Sequence, residues 1–138
     1  MLQYAPSKPP KGAAKGEETK MKKTNTATAE NAKKEIAIST EANDFVVEQP
    51  IAVIQGFRDL THKLAEQGRL AMPDARKIEG EKNLFELRLR VSPNIYRFFY
   101  CYDAGNFILI LNGFVKKTQK TPLQEIRKAK TIMRRYGL

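Results

Sequence analysis

The pattern of apolar and polar positions along the chain predicts a small sheet of short strands. Residues 35–40 (EIAIST) alternate between polar and apolar types, which is the period of a strand. Further along, four apolar or alternating segments are separated by turn sequences that contain Gly, Pro, Asn and Asp. These segments are residues 75–78, 84–91, 95–102 and 107–114. Short strands joined by tight turns predict an antiparallel meander.

Three other segments carry apolar residues at the spacing of a helix. A first helix is predicted from about residue 41, and Pro50 must interrupt it. Residues 51–67 place apolar side chains three and four residues apart, and Gly68 is expected to end this second helix. A last helix is predicted over residues 123–136. The first two helices are expected to cover one face of the sheet, so the predicted fold class is α+β.

Charge is distributed unevenly over the 138 residues, whose formal net charge is +10. Residues 1–34 carry eight lysines and three glutamates, and residues 114–138 carry eight basic side chains and one acidic one. The segment between them is close to neutral. Residues 1–34 are predicted to be a disordered basic extension, because they hold too little apolar surface to offset the entropy of ordering. Residues 35–138 are predicted to form one domain.

Two further features concern the ends and the surroundings of the chain. Gly-Glu-Glu codons precede Met21, and such codons readily form a ribosome-binding site, which suggests that translation naturally starts at Met21. Cys101 is the only cysteine, and no apolar segment reaches membrane-spanning length. We therefore expect a cytoplasmic protein without membrane contact. The sequence has one histidine and no cluster of metal-ligand residues, so we expect no metal and no cofactor.

Candidate chemistry is concentrated in two places. The segment 84–91 alternates so that Glu86, Arg88 and Arg90 share one face, and Arg97 in the next strand is expected to pair nearby. After the segment 107–114, a loop carries three lysines and no acidic residue. Like charges this close repel one another, so the loop is expected to bind an anion.

Three motifs in this order resemble the RelE/HigB superfamily of bacterial toxins, in its phage-derived HigB-like branch. They are FELRLR at residues 85–90, NIYR at residues 94–97 and GFVKKTQKTP at residues 113–122. The resemblance covers residues 35–135. It implies a RelE-like fold, with a small antiparallel twisted sheet, two N-terminal helices on one face and a C-terminal helix. It also implies the toxin of a type II toxin–antitoxin system, a ribosome-dependent mRNA endonuclease neutralised by a helix-turn-helix (HigA-like) antitoxin.

Cleavage of RNA without a metal uses the ribose 2′-hydroxyl as nucleophile, so the enzyme must accept a proton and stabilise charge on the phosphate. Always-charged guanidinium groups suit the second task, and a lysine with a depressed pKa suits the first. Glu86 is an alternative base. The candidate catalytic residues are Arg88, Arg97, Lys117, Lys120 and Glu86.

Other side chains near these motifs are candidates for RNA binding through phosphates, bases or the 2′-hydroxyl. They are Arg90, Tyr96, Lys116, Gln119, Thr121 and Lys128. Tyr96 can stack on a base, although an aromatic residue in a strand is more often part of the core.

Two positions bear on proton transfer. His62 lies in the predicted second helix, away from the candidate site. Asn112 stands where many relatives of the HigB-like branch have histidine, so no imidazole is available there.

Two other function classes remain open at this point: a non-catalytic RNA- or ribosome-binding protein, and a phage-derived protein that binds a host factor through the same fold. A small globular domain with a solvated basic helix is the plainest alternative.

Overall fold

The computed structural model describes residues 3–4, 33–116 and 122–138. Within these ranges, three helices pack on one sheet. The elements are β1 (Gln3–Tyr4), β2 (Glu35–Ile38), α1 (Thr40–Val47), α2 (Ile51–Gln67), β3 (Ala75–Lys77), β4 (Phe85–Val91), β5 (Asn94–Tyr102), β6 (Phe107–Val115) and α3 (Leu123–Arg135). Every helix and strand predicted from the pattern is confirmed, with ends that differ by no more than two residues.

The predicted N-terminal extension is described only in small part. Gln3 and Tyr4 form β1, which pairs parallel with β2 at Ala37 and Ile38. Apart from these two residues and residues 33–34, the extension lies outside the described residues, and its predicted disorder stays a prediction.

The sheet is mixed, whereas an antiparallel sheet was predicted. Its strand order is β1-β2-β6-β5-β4-β3, and the strands from β3 to β6 pair antiparallel as expected. The prediction was wrong for β2, which runs parallel to β6 with Glu35 opposite Phe107 and Ile38 opposite Ile110. Tight turns fix the directions of the later strands. No turn connects β2 to β6, so the local sequence carries no signal for the direction of that pair.

Alternation along the strands produces two apolar layers, one on each face of the sheet. The helix-side core, under α1 and α2, includes Phe57, Leu64 and Phe98. The α3-side core, on the other face, includes Phe99 and residues from β2, β6 and α3. Since α3 covers only part of this second face, the rest of it is available for charged side chains.

Hydrogen bonds attach α3 at both of its ends. At its first turn, the Asn112 side chain donates to the Glu125 backbone oxygen (3.2 Å) and to Glu125 Oε1 (3.1 Å). At its last turn, Arg135 donates to both carboxylate oxygens of Glu41 in α1, at 3.1 and 2.8 Å. This bidentate hydrogen bonding lowers the pKa of Glu41 and raises the pKa of Arg135. The helix is therefore held in one position beside the open part of the sheet.

Gly113, the first residue of the motif GFVKKTQKTP, lies inside β6. A Cβ atom at this position would lie 2.6 Å from Phe98 Cε1 and 2.7 Å from Phe45 Cδ2. Both contacts are with rings, and Phe98 is fully buried in the helix-side core. Packing of α1 against β6 therefore requires glycine here.

We expect Gly113→Ala to lower the free energy of unfolding by about 1–3 kcal/mol, because the added methyl group overpacks a filled core. Gly105→Ala is the matched control, since the nearest atom to a Cβ there is Asp103 Oδ2 at 4.0 Å. Urea unfolding of the two variants and the wild type checks the expectation. Equal unfolding midpoints for both variants would contradict this account of Gly113.

Candidate functional site

The face of β4 that points away from α1 and α2 carries Glu86, Arg88 and Arg90, because the alternate residues of this strand pack into the helix-side core. Arg88 lies directly opposite Arg97 of β5 in the strand register. The expected proximity of Arg97 to this charged face is confirmed. Two arginines thus occupy neighbouring positions on the face of the sheet that also carries α3.

Glu86 is a buried carboxylate beside these arginines, with 0% of its surface exposed. Its Oε1 atom accepts hydrogen bonds from Arg97 Nη1 at 3.0 Å and from Arg76 Nε at 2.9 Å. A buried carboxylate is costly unless cations and hydrogen bonds compensate it, and the two arginines supply both. Its Oε2 atom has no hydrogen-bond partner among the described residues.

Arg76 is a member of the site that the sequence did not reveal. It lies in β3 directly opposite Glu86. A strand of three residues is too short for alternation to show which side chain faces the site, and the register of β3 against β4 is a tertiary property. The one available signal was a basic residue in a segment predicted to neighbour the strand of Glu86.

Arg97 is 5% exposed, and burial lowers its pKa while the Glu86 carboxylate counteracts part of this effect. The Nε atoms of Arg97 and Arg88 have no hydrogen-bond acceptor within the described part of the chain. Arg88 Nη1 lies 3.6 Å from the sulfur of Met72. The charges at this corner of the sheet are predominantly positive, an imbalance that an anion such as phosphate would reduce.

Lys116 follows β6 and belongs to the same group of charges. Its backbone N–H donates to the Ile95 carbonyl of β5 at 3.3 Å. Partial burial lowers the pKa of the Lys116 ammonium group, Arg97 lowers it further, and Glu86 acts in the opposite direction. We call Arg76, Arg88, Arg97 and Lys116 the cationic cluster. Arg76 and Arg97 of this cluster donate hydrogen bonds to Glu86, and Glu86 also acts electrostatically on Lys116.

Tyr96 does not join the cluster. It is 5% exposed and packs in the helix-side core, on the opposite face of the sheet from Arg97. The core alternative therefore holds for Tyr96, and its proposed stacking on a base is withdrawn. Two other predicted RNA-binding residues are exposed: Arg90 near the end of β4 and Lys128 on α3.

Four predicted site residues lie outside the described residues, between Lys116 and Pro122. They are Lys117, Gln119, Lys120 and Thr121. Their roles stay predictions.

The two positions considered for proton transfer have different surroundings. His62 is exposed on α2, on the helix side of the sheet. Asn112 is 1% exposed and bonded to Glu125, so its side chain attaches α3 to β6.

Two other kinds of feature are absent from residues 3–4, 33–116 and 122–138. No group of three or more His, Cys, Asp or Glu side chains is arranged to hold a metal ion. None of the described helices combines the length and apolar character needed to cross a membrane.

The chain is similar to a known protein family. The sequence model of the family described as "Phage derived protein Gp49-like (DUF891)" matches residues 44–134. The matched segment begins in α1 and ends in α3, so it includes all four residues of the cationic cluster. No curated protein matches the chain.

Proposed function

Since the chain belongs to the phage-derived Gp49-like family, which is part of the RelE/HigB-like toxin group, we propose that it is the toxin of a type II toxin–antitoxin system. We further propose that it inhibits translation as a metal-independent mRNA endonuclease that acts on the ribosome. The observation that carries the proposal is the cationic cluster, in which the half-buried Arg88 lies opposite the nearly buried Arg97 and both have a buried Nε–H group without an acceptor among the described residues.

The proposed reaction is an internal transfer of the RNA phosphate. A base removes the proton from the ribose 2′-hydroxyl, and the 2′-oxygen then bonds to the adjacent phosphorus. The bond from phosphorus to the 5′-oxygen breaks, and an acid protonates that oxygen as it leaves. The products are a 2′,3′-cyclic phosphate and a 5′-hydroxyl. Every atom in this step comes from the RNA and from protein acid–base groups.

Arg88 and Arg97 are proposed to stabilise the negative charge that develops on the phosphate. A guanidinium group presents two parallel N–H donors to phosphate oxygens, and a site already organised for this charge needs little rearrangement during the reaction. Lys117 and Lys120 are proposed to assist as further cations. Arg90, Lys128, Gln119 and Thr121 are proposed to contact the flanking RNA.

Lys116 is the proposed proton acceptor. Only a neutral amine can take a proton, and the depressed pKa of Lys116 raises the neutral fraction of its amine at a given pH.

The proposed partners are mRNA on the ribosome and a HigA-like helix-turn-helix antitoxin, and the proposed location is the cytoplasm.

We expect the cleavage rate to rise with pH and to level off at the folded pKa of Lys116, which lies below the ordinary value of 10.5. Single-turnover rates measured from about pH 6 to about pH 10 check this expectation. Lys116→Arg keeps the positive charge but removes the titration in this range, so its rate should be low and almost independent of pH. An unchanged pH profile in Lys116→Arg would contradict the assignment of Lys116 as the base.

The reaction type is tested with purified protein and mRNA-programmed ribosomes, followed by analysis of the new RNA ends. The proposal requires 2′,3′-cyclic phosphate and 5′-hydroxyl ends, formed in the presence of a metal chelator. Inhibition of translation without any new ends would instead favour binding without catalysis. Tight binding to a host protein with no effect on translation would favour the host-factor alternative.

A further inference from the structure

Glu86 is hydrogen-bonded to Arg97, and this contact gives it a role other than proton transfer. We infer that Glu86 is a positioning residue, which fixes the Arg97 guanidinium in the orientation needed to receive the reacting phosphate. This inference rests on the proposed function, because it assigns the way in which one proposed catalytic residue is held.

Arg97 and Arg76 share a single oxygen atom of Glu86 as their hydrogen-bond acceptor. Glu86 Oε1 accepts from Arg97 Nη1 at 3.0 Å and from Arg76 Nε at 2.9 Å. A charge-assisted hydrogen bond at one end of the guanidinium restricts rotation about its Nε–Cζ bond. The plane of the Arg97 group is therefore set before any RNA arrives.

Glu86 is also buried too deeply to contact RNA directly. A general base must approach the proton that it removes to within about 2.6–3.2 Å between heavy atoms, or act through one water molecule. The Glu86 side chain has no exposed surface, and it lies in the sheet between Arg76 on β3 and Phe99 on β5. A ribose hydroxyl on the outside of the protein cannot reach this carboxylate while the arginines cover it.

The charges that face Glu86 point to the same conclusion. They are Arg76 from β3, Arg88 from β4 itself, Arg97 from β5 and Lys116 after β6. Arg76 and Arg97 both donate hydrogen bonds to the Glu86 carboxylate. Its negative charge allows Arg97 to be buried, and its oxygen sets the direction of that side chain. Of the pair, only Arg97 keeps exposed side-chain surface, 7% against 0% for Glu86, so contact with the phosphate is assigned to Arg97.

The test compares Glu86→Gln with the wild type. Glutamine keeps the size of the side chain and one oxygen acceptor but loses the charge, so the hydrogen bond to Arg97 weakens. Glu48→Gln, an exposed carboxylate at the end of α1, is the matched control. Two quantities are measured: the rotational averaging of the Arg97 guanidinium proton signals by nitrogen-15 NMR, and the pH profile of single-turnover cleavage on programmed ribosomes.

Positioning predicts separate Arg97 N–H signals in the wild type and in Glu48→Gln, and averaged signals in Glu86→Gln. It also predicts a cleavage rate about 10- to 100-fold lower in Glu86→Gln, less than the loss of a direct donor, with the same KM. The pH dependence should persist with its midpoint shifted to lower pH, because Glu86 no longer raises the pKa of Lys116. If Glu86→Gln does not fold, Glu86→Asp gives the same test, since the shorter carboxylate keeps its charge but retracts from Arg97.

Two results would overturn the inference. One is the same Arg97 signal pattern in wild type and variant. The other is the loss of the pH-dependent part of the profile in Glu86→Gln, which would make Glu86 the proton acceptor. A wild type that holds Arg97 rigidly but cleaves no RNA would overturn the proposed function and leave the fixation of Arg97 by Glu86 standing.

Discussion

Arg88→Ala is expected to reduce mRNA cleavage by about 10²- to 10³-fold while the protein stays folded. Arg88 is half-buried on the open face of the sheet, directly opposite Arg97. Its guanidinium group contacts the sulfur of Met72, and its Nε atom has no acceptor among the described residues. Removing Arg88 therefore takes away a phosphate donor without leaving a buried carboxylate unpaired.

Single-turnover cleavage rates check the expected loss of activity, and thermal unfolding checks that the variant stays folded. Arg58→Ala is the matched control, because Arg58 is an exposed arginine on α2, on the other side of the sheet. The control should cleave at the wild-type rate. If Arg88→Ala cleaves as fast as Arg58→Ala, the cationic cluster is not the site of the reaction.

Arg97→Ala is expected to lower the free energy of unfolding by about 3–5 kcal/mol, in addition to abolishing cleavage. Arg97 is the nearly buried partner of Glu86, and the carboxylate loses that compensating charge when Arg97 is truncated. Loss of toxicity in this variant alone would therefore not distinguish a missing catalyst from an unfolded protein.

A double variant separates the two effects. Replacing Arg97 with methionine and Glu86 with leucine removes both charges and fills the space with apolar groups, an exchange that is often neutral or stabilising. Urea unfolding should show that Arg97→Met/Glu86→Leu is more stable than Arg97→Ala, and cleavage should remain absent. Full stability in Arg97→Ala would mean that the buried pair contributes nothing to the fold. Recovered cleavage in the double variant would exclude Arg97 as a catalytic residue.

The helices and strands could be predicted from the sequence because their signals are local. The three- and four-residue spacing of residues 51–67 and the alternation of residues 84–91 each reflect contacts that a single element makes with the core. The same alternation correctly placed Glu86, Arg88 and Arg90 on one face of β4.

Contacts between distant segments could not be predicted, because they depend on how strands align. Arg76 joins the site only through the register of β3, and β2 runs parallel to β6 although the later strands form a meander. Tyr96 was a possible RNA contact until its face of β5 was known, since one step along a strand reverses the side of the sheet. Gly113 was noticed as part of a motif, but the two phenylalanine rings that exclude a side chain there come from α1 and β5.

The central claim is that the cationic cluster cleaves mRNA, and the most direct measurement is a map of mRNA 5′ ends in bacterial cells. Cells that express the wild type, Arg88→Ala or Arg58→Ala are compared after induction, with protein levels measured in parallel. The account predicts growth arrest and new ends inside translated codons for the wild type and Arg58→Ala, and neither for Arg88→Ala. Growth arrest without new ends, or the same ends in Arg88→Ala, would contradict it.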